Sequence, residues 1–354
     1  METTWLHDED SAWRQTLARL RHDVYHLPAY VRVSARHEGG TSRAFLADER
    51  DQQLLIPLLI KPLDVLDSDE EPWFDAASPY GYPGPLLAVP DDPQAEAFLR
   101  RAVAALVQTL REQRVVSLFV RLHPLLPAPL EPLAEAGRLV HHGDTVSIDL
   151  TLPQHALWQQ TRASSRNEIS QARRAGLTVD HDPHWTAIDA FLDLYYQTMS
   201  RVAAHPSYFF EKAYFSALRE ALDQALHLFV VRHKDNVVGA GLFSEIDGIV
   251  EYLFSGSRTE GPALHSTKLM LDHVRTWARD RGNYVLHLGG GVGGKEDSLF
   301  HFKAGFSPRR HPFHTWRVVV NPERYEALCA RLPATGDAVS RATDFFPLYR
   351  APKN

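Results

Sequence analysis

The stretch Leu228-Phe229-Val230-Val231-Arg232-His233-Lys234-Asp235-Asn236-Val237-Val238-Gly239 is an apolar run, a charged turn and a second apolar run, which reads as a β-hairpin. Around it the pattern predicts strands over His227 to His233, Val237 to Glu245 and Ile249 to Ser255. A helix follows from Pro262 to Arg281, with Pro262 suited to its first turn and Gly282 to its C-terminal cap, and then a strand from Tyr284 to Leu288. The same order occurs earlier. Ala44-Phe45-Leu46 leads through a turn at Asp51 to Leu54-Leu55-Ile56, a helix is expected over Asp91 to Arg114, and a strand over Val115 to Leu122. In that helix Ala97, Phe98, Ala102, Ala105, Leu106 and Leu110 form a one-sided apolar stripe. Hairpin, helix and strand in this order is common in α/β chains, but its recurrence supports a duplicated α/β unit. We place the boundary near residue 150, giving domains 1–150 and 151–354.

Composition agrees with two cores, since the chain has 354 residues, 44% of them hydrophobic and 23% charged. A formal net charge of -6 argues against a protein wholly devoted to nucleic acid, because phosphate contacts need a basic face. The single cysteine, Cys329, cannot form an internal disulfide or a cysteine metal cluster and fits a reducing compartment. The start Met1-Glu2-Thr3-Thr4-Trp5-Leu6-His7-Asp8-Glu9-Asp10 is acidic, and no apolar run approaches the roughly 18 residues of a spanning helix. A cytoplasmic protein without integral membrane contact is expected.

The remaining pattern places helices at Ser11 to Leu20, Trp158 to Ala175, Trp185 to Arg201, Phe209 to Leu226 and Ser298 to Ala304, and strands at Ser42 to Ala47, Gln53 to Ile60, Thr145 to Leu150 and His314 to Val320. If Trp158 to Ala175 is one helix, Arg162, Arg166 and Arg173 fall within about 40° of one another. Their guanidinium forks then suit a nucleotide diphosphate or an RNA backbone, although a solvated helix face has the same spacing.

The run Leu288-Gly289-Gly290-Gly291-Val292-Gly293-Gly294-Lys295-Glu296-Asp297 satisfies G-x-x-x-x-G-K, but Glu296 stands where a phosphate loop needs Ser or Thr and repels phosphate with Asp297. The glycines read either as a ligand-facing backbone or as a flexible connection. Among 19 histidines no His-Glu-x-x-His occurs, so no metal site is expected. Gly-x-Ser-x-Gly is also absent, and covalent catalysis is not indicated.

Several segments together resemble the FemABX-like aminoacyl (peptidyl) transferases of the GNAT, or N-acyltransferase, superfamily. They are Asp23-Val24-Tyr25-His26-Leu27-Pro28-Ala29-Tyr30, Tyr80-Gly81-Tyr82-Pro83-Gly84-Pro85, Arg121-Leu122-His123-Pro124, Arg166-Asn167-Glu168-Ile169 with Ala172 and Gly176, Tyr208-Phe209-Phe210 with Tyr214-Phe215, Leu288-Gly289-Gly290-Gly291, and Phe302-Lys303-Ala304-Gly305-Phe306. The resemblance spans nearly the whole chain. It implies an α/β (α+β) fold of two tandem GNAT-like domains, each a mixed sheet flanked by helices, with a cleft between them. It also implies N-acyl transfer from the 3′ end of an aminoacyl-tRNA, with no tightly bound cofactor. The acceptor would be an amine on a small molecule or on a nucleotide- or lipid-linked precursor, such as a peptidoglycan muropeptide, another cell-wall intermediate or a natural-product intermediate. The long coiled-coil arm of the peptidoglycan-bridge members is missing from this sequence.

On this resemblance Lys303 is the first catalytic candidate, matching the lysine these transferases put near the aminoacyl-RNA end. A cation there can hold the terminal phosphates or stabilise an oxyanion. Asp297 or Glu296 would take or orient the amine proton, although acids at a helix N-terminus are also favoured by the helix dipole. Substrate contacts are expected from Arg162, Arg166, Arg173, Tyr80, Tyr82, Arg121, His123, Tyr208, Tyr252, Gly289, Gly290 and Gly291.

The alternative donor is acyl-CoA. Its pyrophosphate loop would be Gly256-Ser257-Arg258-Thr259-Glu260-Gly261-Pro262-Ala263, where Pro262 removes an N–H donor, Ala263 replaces a glycine and Glu260 adds repulsion. An activated ester needs little more than alignment of amine and carbonyl, which favours the aminoacyl-tRNA reading. A third reading is a non-catalytic glycan- or peptide-binding scaffold that uses Tyr80, Tyr82, Tyr208 and Trp316 as aromatic contacts.

Overall fold

The computed structural model describes residues 1–63, 71–88, 94–261, 265–332 and 345–351. Its contacts divide the chain into two units, Met1–His142 with Phe313–Asn354, and Gly143–Pro312. The elements in chain order are β1 (Glu2–His7), α1 (Ser11–Leu17), α2 (Pro28–Glu38), β2 (Thr41–Glu49), β3 (Gln52–Pro62), β4 (Phe74–Ala77), β5 (Leu86–Ala88), α3 (Gln94–Glu112), β6 (Val115–Arg121), α4 (Leu130–Ala136) and β7 (Arg138–Asp149). There follow α5 (Gln154–Gln160), α6 (Ala163–Arg174), β8 (Leu177–His181), α7 (Ile188–Arg201), α8 (Lys212–Leu222), β9 (Leu226–His233), β10 (Asn236–Ile246), β11 (Ile249–Ser257), α9 (Ser266–Asp280), β12 (Val285–Gly289), α10 (Ser298–Ala304), β13 (Arg310–Val319) and α11 (Pro322–Cys329).

In the first unit the strands run β1-β2-β3-β4-β6-β13, with β5 on β3. All neighbours are antiparallel except β4 and β6, which pair in parallel and are joined through α3. Phe98, Leu99, Ala102, Val103, Leu106 and Leu110 of α3 are buried against this sheet, whereas Ala97, expected in the stripe, is exposed. In the second unit the order is β7-β12-β11-β10-β9-β8, and its parallel pair, β11 with β12, is bridged by α9. Leu269, Met270, Val274 and Ala278 of α9 pack into the core beneath Phe229, Phe243, Val250 and Leu286. Each unit is therefore a mixed sheet with one parallel crossover, the arrangement that the family resemblance implies. The expected helix starts at Asp91 and Pro262, and Ala263 of the pyrophosphate loop, lie outside the described residues.

Two differences from the sequence reading matter for the site. The chain from Phe313 onward clusters with the first unit and not with residues 151–312. The reason is strand pairing, since Thr315 to Val319 of β13 lie against β6 while Trp316 and Val318 enter the first core. The expected helix from Trp158 to Ala175 is broken into α5 and α6, because Thr161 and Arg162 take extended backbone angles. The break is held from outside the segment, where buried Arg275 donates to Thr161 Oγ1 at 2.6 Å and to Leu157 O at 3.2 Å.

Candidate active site

The second unit places two buried ionisable side chains opposite one another on its parallel strand pair. β11 and β12 match only at Ile249/Val285, Val250/Leu286 and Glu251/His287. Beyond that point β11 continues on β10 as far as Ser257, and β12 continues on β7 as far as Gly289. The two strands therefore stop pairing just after Glu251 and His287, both of which are buried. His287 Nδ1 lies 2.8 and 2.9 Å from the Glu251 carboxylate oxygens, and its Nε2 lies 2.9 Å from Thr145 Oγ1. A carboxylate only accepts, so Nδ1 carries the proton and a neutral ring accepts at Nε2 from the Thr145 hydroxyl.

Lys303 belongs to the same unit, on the short helix α10 that follows the glycine loop. Its side chain is buried, and Nζ donates to Gly290 O at 2.6 Å. Burial lowers its pKa to about 8, opposed by the negative charges of Asp297 and Glu251. Asp297 caps α10 by accepting from Phe300 N at 2.9 Å, and it also accepts from Val292 N at 2.9 Å. Burial pushes this carboxyl up, but the amides of Phe300, Val292 and Leu299 together with Lys303 outweigh it and hold the pKa below the usual value. Gly291 is required here by space, because a Cβ would sit 2.0 Å from Lys295 O and 2.4 Å from Asp297 Oδ1. Glu296 is exposed. The hydroxyl of Tyr252, one residue beyond Glu251, bonds Ser255 Oγ, and burial pushes its pKa up to about 12.

The three arginines do not present their guanidiniums together. Arg162 lies in the break before α6 and is exposed. Arg166 turns back to cap α5, its Nη1 donating to Trp158 O, Gln159 O and Thr161 O at 3.3, 3.1 and 3.0 Å. Arg173 pairs with Asp272 and lies 5.6 Å over the Trp158 ring. Arg166 and Arg173 stay on one face of the intact α6, but their guanidiniums are turned to the α5 carbonyls and to Asp272, and the break takes only Arg162 out of the helix.

In the first unit His123 is buried and joined to buried Asp23, Nε2 to Oδ2 at 3.0 Å. Its Nδ1 accepts from Leu125 N and Leu126 N at 3.1 and 3.2 Å, so the proton sits on Nε2 and points at the carboxylate. His26 stacks on this ring at 5.6 Å, and burial, with His123 and His22 nearby, lowers its pKa well below the usual value. The Tyr82 ring meets Tyr25 at 5.8 Å and His123 at 6.3 Å edge to face. Tyr80 is partly exposed, and its backbone is fixed by Glu38 at its N–H (2.8 Å) and by the Tyr30 hydroxyl at its carbonyl (2.9 Å). The Arg121 guanidinium lies 4.9 Å over Phe119.

Tyr208, in the second unit, is half-buried, and its carbonyl accepts from the Tyr195 hydroxyl. Trp316 is fully buried and donates to Leu133 O at 2.8 Å, so it is core and not an aromatic ligand contact. The structure thus gathers Lys303, Gly290 and Asp297 in the second unit, and His123 with Tyr82 in the first. Sequence reasoning missed Glu251, His287 and Thr145. The available signal was a single ionisable side chain inside each of two otherwise apolar strands, Ile249 to Phe254 and Val285 to Leu288.

Residues 159–303 match the family model described as an acetyltransferase (GNAT) domain. The matched segment contains Glu251, His287, Gly290, Asp297 and Lys303. Among solved structures, FemX matches with a TM-score of 0.68 at 13% identity, over 92% of this chain and 99% of that one. The chain has the FemABX-like GNAT fold. The same fold occurs in a conserved protein of unknown function from Bacteroides thetaiotaomicron, with a TM-score of 0.56 at 12% identity over 89% of this chain and 99% of that one. The C-terminal domain of a protein described as a lysylphosphatidylglycerol synthetase, from Agrobacterium fabrum, gives 0.51 at 16% identity over 88% and 91%. No curated protein matched the sequence. Among the described residues of this GNAT-fold protein, no helix is long and apolar enough to cross a membrane.

Proposed function

We propose that the protein is an N-acyltransferase whose second unit moves an aminoacyl group from the 3′ end of an aminoacyl-tRNA to an amine acceptor. The observation that carries this reading is the buried Lys303 amine, anchored on Gly290 O in the segment that matches a GNAT domain. An ammonium has three donors, and Gly290 uses one, which leaves N–H capacity for an oxyanion or a terminal phosphate. The acceptor's neutral amine attacks the ester carbonyl, a C–N bond forms and the carbonyl electrons move to oxygen beside the Lys303 charge. Collapse breaks the ester C–O bond, and the ribose oxygen leaves with the proton shed by the amine. Asp297 suits fixing the loop better than accepting that proton, because both its oxygens already accept amide N–H groups and its pKa is lowered. Exposed Glu296 is a peripheral orienting candidate. His123 with Asp23, Tyr80, Tyr82, Tyr208, Tyr252 and exposed Arg162 remain candidates for acceptor or donor contacts.

The preference for tRNA over acyl-CoA rests on Glu260, Pro262 and Ala263 in the loop that would hold a pyrophosphate. The match to an acetyltransferase domain favours the CoA alternative, so the decisive experiment compares both donors. Purified protein is incubated with charged tRNA pools and, separately, with acetyl-CoA, together with muropeptides and other amine acceptors, and donor loss is followed. Acceptor-dependent deacylation of charged tRNA is expected, without consumption of acetyl-CoA and without a melting shift at millimolar acetyl-CoA. The opposite pattern would replace the donor, and no turnover with either would leave the binding-scaffold reading in its place. Peptidoglycan precursors are the first acceptors to try, and a cytoplasmic setting is part of the same proposal.

A further inference from the structure

The carboxylate, imidazole and hydroxyl of Glu251, His287 and Thr145 have no part in the transfer step so far, yet they are joined as a proton relay is joined. The Glu251 oxygens lie 2.8 and 2.9 Å from His287 Nδ1, and His287 Nε2 lies 2.9 Å from Thr145 Oγ1. All three residues are buried in the second unit. Thr145 Oγ1 also has a second acceptor within reach, His311 O, at the longer distance of 3.4 Å. With His287 neutral, the hydroxyl donates to Nε2. With a proton added at Nε2, the ring donates to Thr145 Oγ1, the hydroxyl turns to His311 O, and the imidazolium faces the Glu251 carboxylate. The chain can therefore take up one proton while each of these donors keeps an acceptor and the new charge a counter-charge, the two conditions that burial imposes.

The hydroxyl end of this chain lies beside the loop that holds the Lys303 amine. A Cβ added at Gly290 would meet Asp144 O at 3.0 Å and Thr145 Cγ2 at 3.7 Å, so the glycine backbone runs against Thr145. The carbonyl of the same glycine accepts from Lys303 Nζ at 2.6 Å. Strand pairing fixes both neighbours, since β12 lies on β7 with His287 opposite Ser147 and, after a register shift, Gly289 opposite Val146. Asp297, the buried-side acid of the loop, has its two oxygens on the amides of Val292 and Phe300. The imidazole is the group here that can gain a proton without releasing a backbone amide.

We propose that His287 is the proton acceptor of the transfer step, reached through the Thr145 hydroxyl and charged against Glu251. The inference rests on the acyl-transfer reading of the second unit. As the amine attacks the ester carbonyl, its N–H proton passes to Thr145 Oγ1 while the Thr145 proton passes to His287 Nε2. When the ester C–O bond breaks the two shifts reverse, the proton ends on the ribose oxygen, and Thr145 and His287 are restored. The test pairs single-turnover rates of the full-length protein on charged tRNA pools and muropeptides with histidine side-chain NMR of the resting protein, His287 being assigned from the His287→Gln spectrum. Thr145→Val and His287→Gln, each checked by circular dichroism and melting temperature, should each slow the folded enzyme by about 10²-fold or more, the range of general acid–base catalysis. Thr145→Ser restores the hydroxyl and should recover most of the rate, and the resting His287 ring should carry its proton on Nδ1 alone. If one variant does not fold, the other and the resting tautomer decide. A folded Thr145→Val enzyme with near wild-type rate, a Thr145→Ser enzyme as slow as Thr145→Val, or a resting ring protonated at Nε2 overturns the relay. An acyl adduct on Thr145 in the mass spectrum also overturns it, by making the threonine a nucleophile. A wild type that does not turn over charged tRNA removes the aminoacyl-transfer reading itself, and this step with it.

Discussion

The parallel strand pairs of the two units occupy equivalent places between hairpin and helix, yet they carry different chemistry. In the first unit the buried polar pair is Asp75 on β4 and Ser117 on β6, hydrogen-bonded at 2.9 Å. Tyr349 and Arg350, from the end of the chain, bond the same carboxylate, so that pair is closed by a segment of the protein itself. In the second unit the pair is Glu251 and His287, a carboxylate and an imidazole, with Thr145 as the third member and the Lys303 charge acting on Glu251. The two units share a scaffold and differ in the side chains on the crossover. One crossover carries an ion pair closed by the C-terminal segment, and the other a carboxylate–imidazole pair whose carboxylate acts on the buried Lys303 amine.

The largest expected effect tests the second of these. Lys303→Met should retain the fold and lower the single-turnover rate about 10²–10³-fold, the usual loss for one preorganised oxyanion contact. The melting temperature should not fall, because at neutral pH the wild type bears the cost of burying a charged amine. If the cation is what acts, the wild-type rate declines as pH rises through about 8, where Lys303 loses its proton. Lys303→Arg should restore only part of the rate, since a planar fork does not reproduce a compact ammonium. A Lys303→Met enzyme with a near wild-type rate would remove the residue from the site.

Acid should separate the units next. Burial lowers the His227 pKa to about 4, with His181 and Arg281 adding to the shift and Glu245 opposing it. Between that value and the unfolded value near 6.5 the unfolded chain binds more protons, so this contribution is present above pH 6.5 and is lost as pH falls toward 4. Over the whole window it amounts to about 3 kcal/mol. His227→Gln should flatten the stability profile of the second unit in that window, measured by urea unfolding at pH 4 to 7. An unchanged slope would mean that other groups carry the acid response.

A smaller loss is expected in the first unit from Arg350→Ala. It leaves the buried Asp75 carboxylate with Ser117 and Tyr349 but without its cation, and because Arg350 is itself partly exposed the cost should be about 1–3 kcal/mol. Lys303-dependent turnover should persist below the new melting temperature. Equal stability of the variant and the wild type would show that the C-terminal segment does not hold this crossover together.

Much of the fold was legible, and the reason is local. The runs around Leu54 to Ile60 and Leu228 to Val238 alternate or continue as buried strands must, and the stripe of α3 has helical spacing. What was not legible depends on contacts remote in sequence. β1 has only Leu6 buried and exists because β2 pairs with it. The side of the molecule to which β13 belongs is decided by β6, some two hundred residues earlier. Lys303 was found by family resemblance, whereas Glu251 and His287 become a pair only when two strands separated by a helix come into register.

The smallest effect compares two arginines that one helix would have made equivalent. In the structure the chain breaks at Thr161 and Arg162, so Arg162 becomes an exposed cap position while Arg166, one turn on, satisfies carbonyls at the end of α5. Arg166→Ala leaves those carbonyls without a charged donor next to a break that Arg275 holds from the other side, and about 1 kcal/mol of stability should be lost. Arg162→Ala removes an exposed side chain and should change stability by no more than about 0.5 kcal/mol. A basic surface used for RNA would reverse this order in a binding measurement. Arg162→Glu would then weaken association with charged tRNA and reduce its salt dependence, while Arg166→Ala would act only through stability. Thermal unfolding and tRNA titration of the two variants at two salt concentrations separate these outcomes. If Arg162→Glu changes neither affinity nor salt slope, this part of the second unit is a solvated surface and the nucleic acid, if it is the donor's carrier, lies elsewhere.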